Sequence, residues 1–238
     1  MATITKLFSN GWLQSSVVFD ETASSISISP TAVNATLFDE VTLGSEIAER
    51  RFSNGTYQVS GFFDEYTSTV VIYSAGLFKT TYAGYFADDV SFFATATPTT
   101  YGTNPATSVQ TTAISEANSN DGSNFSCQWL GYFLPSTTET YTFFTASDDA
   151  SYVWVGSNAV SGFSTGNAVV NNGGAHAVQE RSGTISLTAG VYYPIRIQFG
   201  EAGGGDAMTF SYSTSTISKT TNVTGRVFYN PTTSGFDT

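Results

Sequence analysis

Short runs of β-branched and aromatic residues, each closed off by Gly, Asn, Ser or Pro, occupy most of the chain. Tyr57 to Phe63, Thr69 to Tyr73, Tyr141 to Phe144, Tyr152 to Val155, Tyr192 to Phe199 and Met208 to Tyr212 are of this kind, and such runs read as strands. Several alternate with a period of two. In Tyr193-Pro194-Ile195-Arg196-Ile197-Gln198-Phe199, one face is apolar and the other is polar. The best helical stretch, Leu43 to Arg51, is short and lacks a sustained 3.6-residue period. The expected class is all-β: a β-sandwich preceded by a smaller hairpin region.

The smaller region is marked by an internal repeat. Phe8-Ser9-Asn10-Gly11 recurs as Phe52-Ser53-Asn54-Gly55, Gln14 as Gln58, Ser16 as Ser60, and Phe19-Asp20-Glu21 as Phe63-Asp64-Glu65, all at one offset of 44 residues. A further Phe38-Asp39-Glu40 lies between the copies. Asn-Gly between apolar runs signals a hairpin, because both turn residues must accept positive φ. Each copy therefore reads as a hairpin whose second strand ends in an acidic turn. Two such units bury little alone and are expected to pair with each other or with another subunit. Residues 1–80 are expected to form a duplicated β-hairpin region for anchoring and oligomerisation. Residues 81–214 are expected to form the sandwich, and 215–238 a tail or edge strand carrying the apolar Val227-Phe228-Tyr229.

Composition narrows the function classes. Nineteen Asp and Glu stand against eight Lys and Arg, a net charge of -11, so a nucleic-acid partner is not expected. No run approaches the roughly 18 apolar residues of a membrane span. The start, Met1-Ala2-Thr3-Ile4-Thr5-Lys6, has no apolar stretch behind a basic segment, so no signal peptide is expected. The single cysteine, Cys127, reads as a small buried hydrophobe beside Trp129 and Leu130. His176 has no second His or Cys nearby for a zinc site and is given a loop or packing role. Asp88-Asp89 reads as a solvated turn, and Trp154 is expected to point into the core.

The densest signal begins at Trp129-Leu130-Gly131-Tyr132-Phe133-Leu134-Pro135 and continues through Glu139-Thr140-Tyr141-Thr142-Phe143-Phe144 and Ser147-Asp148-Asp149-Ala150. It resumes at Tyr152-Val153-Trp154-Val155-Gly156, Ala189-Gly190-Val191-Tyr192-Tyr193-Pro194-Ile195-Arg196-Ile197 and Met208-Thr209-Phe210-Ser211-Tyr212. At these residues the sequence resembles the PA14 family and its GLEYA relatives. Gly84-Tyr85-Phe86, Phe92-Phe93 and Thr97-Pro98 look like that family's opening, so the resemblance spans roughly residues 82–214. It implies a β-sandwich with loops clustered at one end. In lectin-like members, two consecutive aspartates joined by a cis peptide bind Ca²⁺, and the ion recruits sugar hydroxyls. Asp148-Asp149 matches that pair. Calcium takes six to eight oxygen ligands, and adjacent carboxylates supply charge from one turn.

The resemblance also implies that the site is completed by the loop Gly200-Glu201-Ala202-Gly203-Gly204-Gly205-Asp206. Glu201 stands where lectin members carry Asn. The expected metal ligands are Asp148, Asp149 and Glu201. The expected sugar-binding set is those three with Gly203, Gly204, Gly205 and Asp206.

Three roles are compatible with these features. The first is a virion structural protein of a tailed phage, on the particle exterior, with copies of itself and other virion proteins as partners and host-surface glycans bound through Ca²⁺. The Phe-Ser-Asn-Gly and Phe-Asp-Glu pattern is similar to the start of marine-phage structural proteins. The second is a cell-surface, Ca²⁺-dependent carbohydrate-binding adhesin of the GLEYA or flocculin type, at an extracellular location. The third is an accessory module of a glycoside hydrolase. No catalytic residues are expected, because no motif places two carboxylates across a cleft.

Overall fold

The computed structural model describes residues 74–116, 124–230 and 234–236, and the course of seven strands in the stretch before them. The chain divides into two compact units, Met1–Ala75 with Asn230–Thr232, and Gly76–Tyr229 with Thr233–Thr238. Among the described residues, no helix is long and apolar enough to cross a membrane.

In the first unit, β1 (Ile4–Ser9), β2 (Gln14–Asp20), β3 (Ser25–Ser29), β4 (Val33–Leu43), β5 (Ile47–Ser53), β6 (Tyr57–Phe63) and β7 (Ser68–Ala75) follow one another. Each pairs antiparallel with the next. The repeat survives as register. Ser9 faces Gln14 and Ile4 faces Phe19 in one hairpin; Ser53 faces Gln58 and Ala48 faces Phe63 in the other. Asp20 ends β2. The Asn-Gly steps, Glu21 and Asp64-Glu65 lie outside the described residues. The helical candidate Leu43 to Arg51 instead spans the end of β4 and most of β5, which pair with each other. With too few residues for a stable isolated helix, this stretch takes the hydrogen bonds of a strand neighbour. Phe38 marks a register shift within β4, so the third Phe-Asp-Glu sits inside a strand.

The second unit is a sandwich of two antiparallel sheets. Its elements are β8 (Leu77–Ala83), α1 (Phe92–Thr95), β9 (Thr107–Gln110), β10 (Ser115–Glu116), β11 (Phe125–Phe133), β12 (Glu139–Asp148), β13 (Ser151–Val155), α2 (Ser157–Val160), β14 (Val170–Asn172), β15 (Gln179–Leu187), β16 (Tyr193–Glu201), β17 (Ala207–Ser213) and β18 (Val227–Tyr229). One sheet runs β9-β8-β11-β16-β13-β14, and β18 pairs with Tyr132 and Phe133 of β11. The other runs β10-β17-β12-β15. Phe125, Trp129, Phe133, Ile195, Ile197 and Phe199 of the first sheet meet Tyr141, Phe143, Phe210 and Tyr212 of the second in one buried cluster. Phe133 bridges the sheets, its ring 5.1 Å from Phe143, 5.3 Å from Tyr212 and 5.5 Å from Tyr141.

The alternation in β12 is clean, with Tyr141, Phe143, Thr145 and Ser147 buried between partly exposed neighbours. In β16 it carries a different meaning. Ile195, Ile197 and Phe199 face the core, yet Arg196 and Gln198 are buried as well. The outer face of this sheet is covered: Arg196 Nε donates to the Ala159 carbonyl of α2 at 2.8 Å, and its guanidinium lies 4.0 Å from the Phe163 ring. Gln128 Oε1 accepts from Arg196 and, at 3.0 Å, from Gln198. Trp154 is fully buried but sits outside the inter-sheet cluster. Its Nε1 donates to the Ser164 carbonyl at 2.9 Å, so the segment after α2, rather than the second sheet, covers it. Cys127 is fully buried, and burial pushes its thiol up to about 12, in keeping with a small packed side chain.

Candidate functional site

Strand register brings the chain from one sheet to the other three times at a single end of the sandwich. Asp148 at the end of β12 faces Ala207 at the start of β17, while Ser151 of β13 faces both Phe199 of β16 and Asn172 of β14. Ser147 of β12 faces Gln179 of β15. The crossings 149–150, 173–178 and 202–206 must therefore lie side by side. Phe125 of β11 faces Glu201 and Ala83, which brings the loop after β8 to the same end.

Asp148 and Asp149 occupy the first crossing, and the peptide between them is cis. Asp149 is buried, and both its oxygens hold neighbouring loops. Oδ1 accepts from the His176 backbone N–H at 2.6 Å, and Oδ2 accepts from the Ala202 N–H at 2.9 Å. Asp148 is half-buried. Glu201, the last residue of β16, has no exposed surface, and neither carboxylate oxygen accepts a hydrogen bond of normal geometry. Oxygens of Asp148, Asp149 and Glu201 all lie within 4.8 Å of one another.

Electrostatics record that crowding. Burial, then the charge of Asp149, pushes the Glu201 carboxyl up to about 7; Asp148 and Asp206 add to the rise, and only the approach of the Gly203 N–H opposes it. Asp148 is raised by burial and by Asp149, with His176 and the Val178 N–H pulling down. Such a set of hard oxygen donors, with one carboxylate buried and unpaired, is suited to a cation such as Ca²⁺.

The expected residues separate on this geometry. Asp148, Asp149 and Glu201 converge. Gly203, Gly204 and Gly205 form an exposed rim, and Gly204, at φ +112° with open space where a Cβ would be, holds a turn that L side chains rarely adopt. Asp206 is buried and close enough to raise Asp148 and Glu201, but it stays outside the convergent trio.

Three further residues, Tyr85, Asp88 and His176, stand at this end outside the expected site. Tyr85 lies in the loop after β8, its N–H donating to Asn124 Oδ1 at 2.7 Å. Its phenol is pushed up to about 12, first by burial and then by Asp88, Asp149 and Glu201. A Cβ on Gly200 would meet the Phe86 ring at 2.4 Å and Tyr85 at 2.9 Å, so that glycine lets the loop lie against β16 beside Glu201. Asp88 accepts from the Gly174 N–H at 3.2 Å, whereas its neighbour Asp89 is a turn residue bonded to Ser91. His176 contributes through its backbone, a role no side-chain pattern announces. Gly84-Tyr85-Phe86 was the available signal for the first of these.

Residues 125–214 match the GLEYA domain family. The second unit thus contains a GLEYA-like domain. No curated protein matches the chain. Among solved structures, the Epithelial Adhesin 6 A domain from Candida glabrata, in complex with Galβ1-3GlcNAc, is 19% identical at a TM-score of 0.47, with 68% of this chain and 88% of that one covered. The PA14 domain of the MpAFP antifreeze protein is 15% identical at a TM-score of 0.49, covering 66% and 91%. An anti-sigma factor domain-containing protein from Clostridium clariflavum is 17% identical at a TM-score of 0.48, covering 64% of this chain. The chain spans about half the length of the first two structures it matches, 47% and 46%.

The raised Glu201 carboxyl makes the metal-free GLEYA-like domain sensitive to pH. A carboxyl raised in the folded state binds more protons than it does unfolded. Its contribution to stability is full below 4.5 and is lost as pH rises through about 7. In EDTA, thermal melts of the chain should fall across that window, by on the order of 1–2 kcal/mol once solvent screening at the loop mouth is allowed for. Glu201→Gln should flatten the profile; an unchanged slope in that variant would assign the effect elsewhere.

Proposed function

We propose that the chain is a surface adhesin whose GLEYA-like domain binds glycans through a Ca²⁺ held by Asp148, Asp149 and Glu201. The observation that carries this reading is the fully buried, unpartnered carboxylate of Glu201 converging with the aspartate pair. A bound Ca²⁺ supplies coordination positions that adjacent sugar hydroxyls can occupy in place of water. Asp149 holds the second and third crossings together through the His176 and Ala202 N–H groups, and a carboxylate retains further lone pairs for a cation. Glu201 brings negative charge that no protein hydrogen bond satisfies. The bare backbone of Gly203, Gly204 and Gly205 lets a sugar ring approach the loop closely, and Asp206 adds negative potential behind it. Weak binding at one site is multiplied where many copies share a surface.

The GLEYA match supports an extracellular adhesin over a virion component. In the adhesin reading the partners are host-surface glycans. A glycan array probed with the full chain tests it. Binding is expected in Ca²⁺ and lost in EDTA; binding that survives EDTA, or none in Ca²⁺, would contradict it.

A further inference from the structure

The sandwich buries a second polar constellation, none of whose members belongs to the Asp148, Asp149 and Glu201 trio. Lys79 of β8, Glu116 of β10 and Asn104, just before β9, are 3%, 7% and 8% exposed. Lys79 Nζ donates to Asn104 Oδ1 at 2.9 Å and forms an ion pair with Glu116 Oε2. The ammonium lies 5.5 Å from the centre of the buried Trp129 ring, and the buried Cys127 sulfur lies 3.8 Å from Glu116 Oε2. Asn104 is held in place by reciprocal backbone hydrogen bonds with Tyr101, each 2.9 Å. Its amide nitrogen Nδ2 is buried and has no hydrogen-bond partner.

An ion pair of this kind costs desolvation energy that an apolar trio of similar shape would avoid, and the unpartnered amide adds to that cost. What the arrangement does provide is chemistry: an amine, an amide carbonyl and a carboxylate in contact, with water excluded. We propose that Lys79 and Asn104 become joined by an intramolecular amide bond, with Glu116 as the proton carrier. With Nζ 2.9 Å from Oδ1 and a C=O bond of about 1.2 Å, Nζ lies within about 4 Å of Asn104 Cγ, close to attack distance.

The step balances without a co-reactant. Glu116 takes a proton from the Lys79 ammonium, and the freed lone pair attacks Cγ of Asn104. The Nζ–Cγ bond forms and the Cγ–Nδ2 bond breaks. Nδ2 departs as ammonium, carrying its own two hydrogens and two from Lys79, delivered through Glu116, which returns to the carboxylate. No atom changes oxidation state. The absence of a hydrogen bond to Nδ2 leaves the departing group unrestrained, and the Glu116 carboxylate is already in contact with the attacking nitrogen. The product ties β8 to the loop preceding β9, closing a 25-residue segment that otherwise contributes loop entropy to the unfolded chain.

Intact mass spectrometry of the full chain tests this. The folded protein should be lighter than its sequence by one ammonia, and Glu116→Gln should restore the full mass while keeping the near-UV circular dichroism of the native fold. A succinimide at an Asn-Gly step loses the same mass, so peptide mapping decides. Lys79 is the only Lys or Arg between Arg51 and Arg181, and trypsin does not cut after an acylated lysine. The linked protein should yield one peptide, 52–181, where the unlinked protein yields 52–79 and 80–181. Full mass in the wild type, or a missing ammonia with normal cleavage after Lys79, would overturn the proposal whatever the variant does.

Discussion

Asp149→Ala is expected to abolish Ca²⁺ binding and Ca²⁺-dependent glycan binding together. The side chain has two tasks. Its charge completes the cluster with Asp148 and Glu201, and its two oxygens receive the His176 and Ala202 N–H groups that set the flanking loops. Losing the carboxylate takes the acceptor away from those part-buried donors, at a cost of about 0.5–1.5 kcal/mol for each bond. The sandwich core is untouched, so the variant should stay folded with a lower melting temperature. The informative comparison is Asp149→Asn, which keeps the shape and one acceptor oxygen. It should recover much of the stability and none of the metal binding, because an amide restores a loop contact without restoring charge. Thermal melts with and without Ca²⁺ separate the two tasks. The wild type should be stabilised by the ion, and both variants should be indifferent to it.

Phe133→Ala is expected to have the largest effect on folding. Phe133 is fully buried on β11 and touches three rings of the opposite sheet. Truncating a phenylalanine in such a position costs about 3–5 kcal/mol, through lost transfer energy and the cavity that remains. That approaches the whole stability of many domains, so the variant should show a large fall in the urea midpoint. Phe133→Leu should cost less, because it refills part of the cavity. Equal midpoints for wild type and Phe133→Ala would mean that the two sheets are not held together by this cluster.

The fold was legible where side chains alternate. Tyr57 to Phe63 matches β6 end to end, and Tyr141 to Phe144 falls inside the alternating β12. Alternation gives strand identity and the core face, but it does not say whether the other face is wet. Arg196 and Gln198 look solvent-facing in sequence and are buried, because α2 and the segment behind it fold over that face. The same cover explains Trp154. At the loop cluster, Asp148, Asp149 and Glu201 were named through a family resemblance, and strand register brings them together. The His176 N–H was not legible, since a backbone donor leaves no mark on residue type. The Lys79, Asn104 and Glu116 cluster was hidden for another reason. Its members stand 25 and 37 residues from Lys79, and only pairing of β8 with β9 and β11, together with packing against the sheet that holds β10, gathers them.

Isothermal titration of the full chain with Ca²⁺, at a pH above that at which Glu201 ionises, tests the central claim most directly. The wild type should bind a single Ca²⁺ per chain, and Glu201→Gln should lose most of that affinity while remaining folded. Absence of Ca²⁺ uptake by the wild type, or uptake unchanged in Glu201→Gln, would contradict the account.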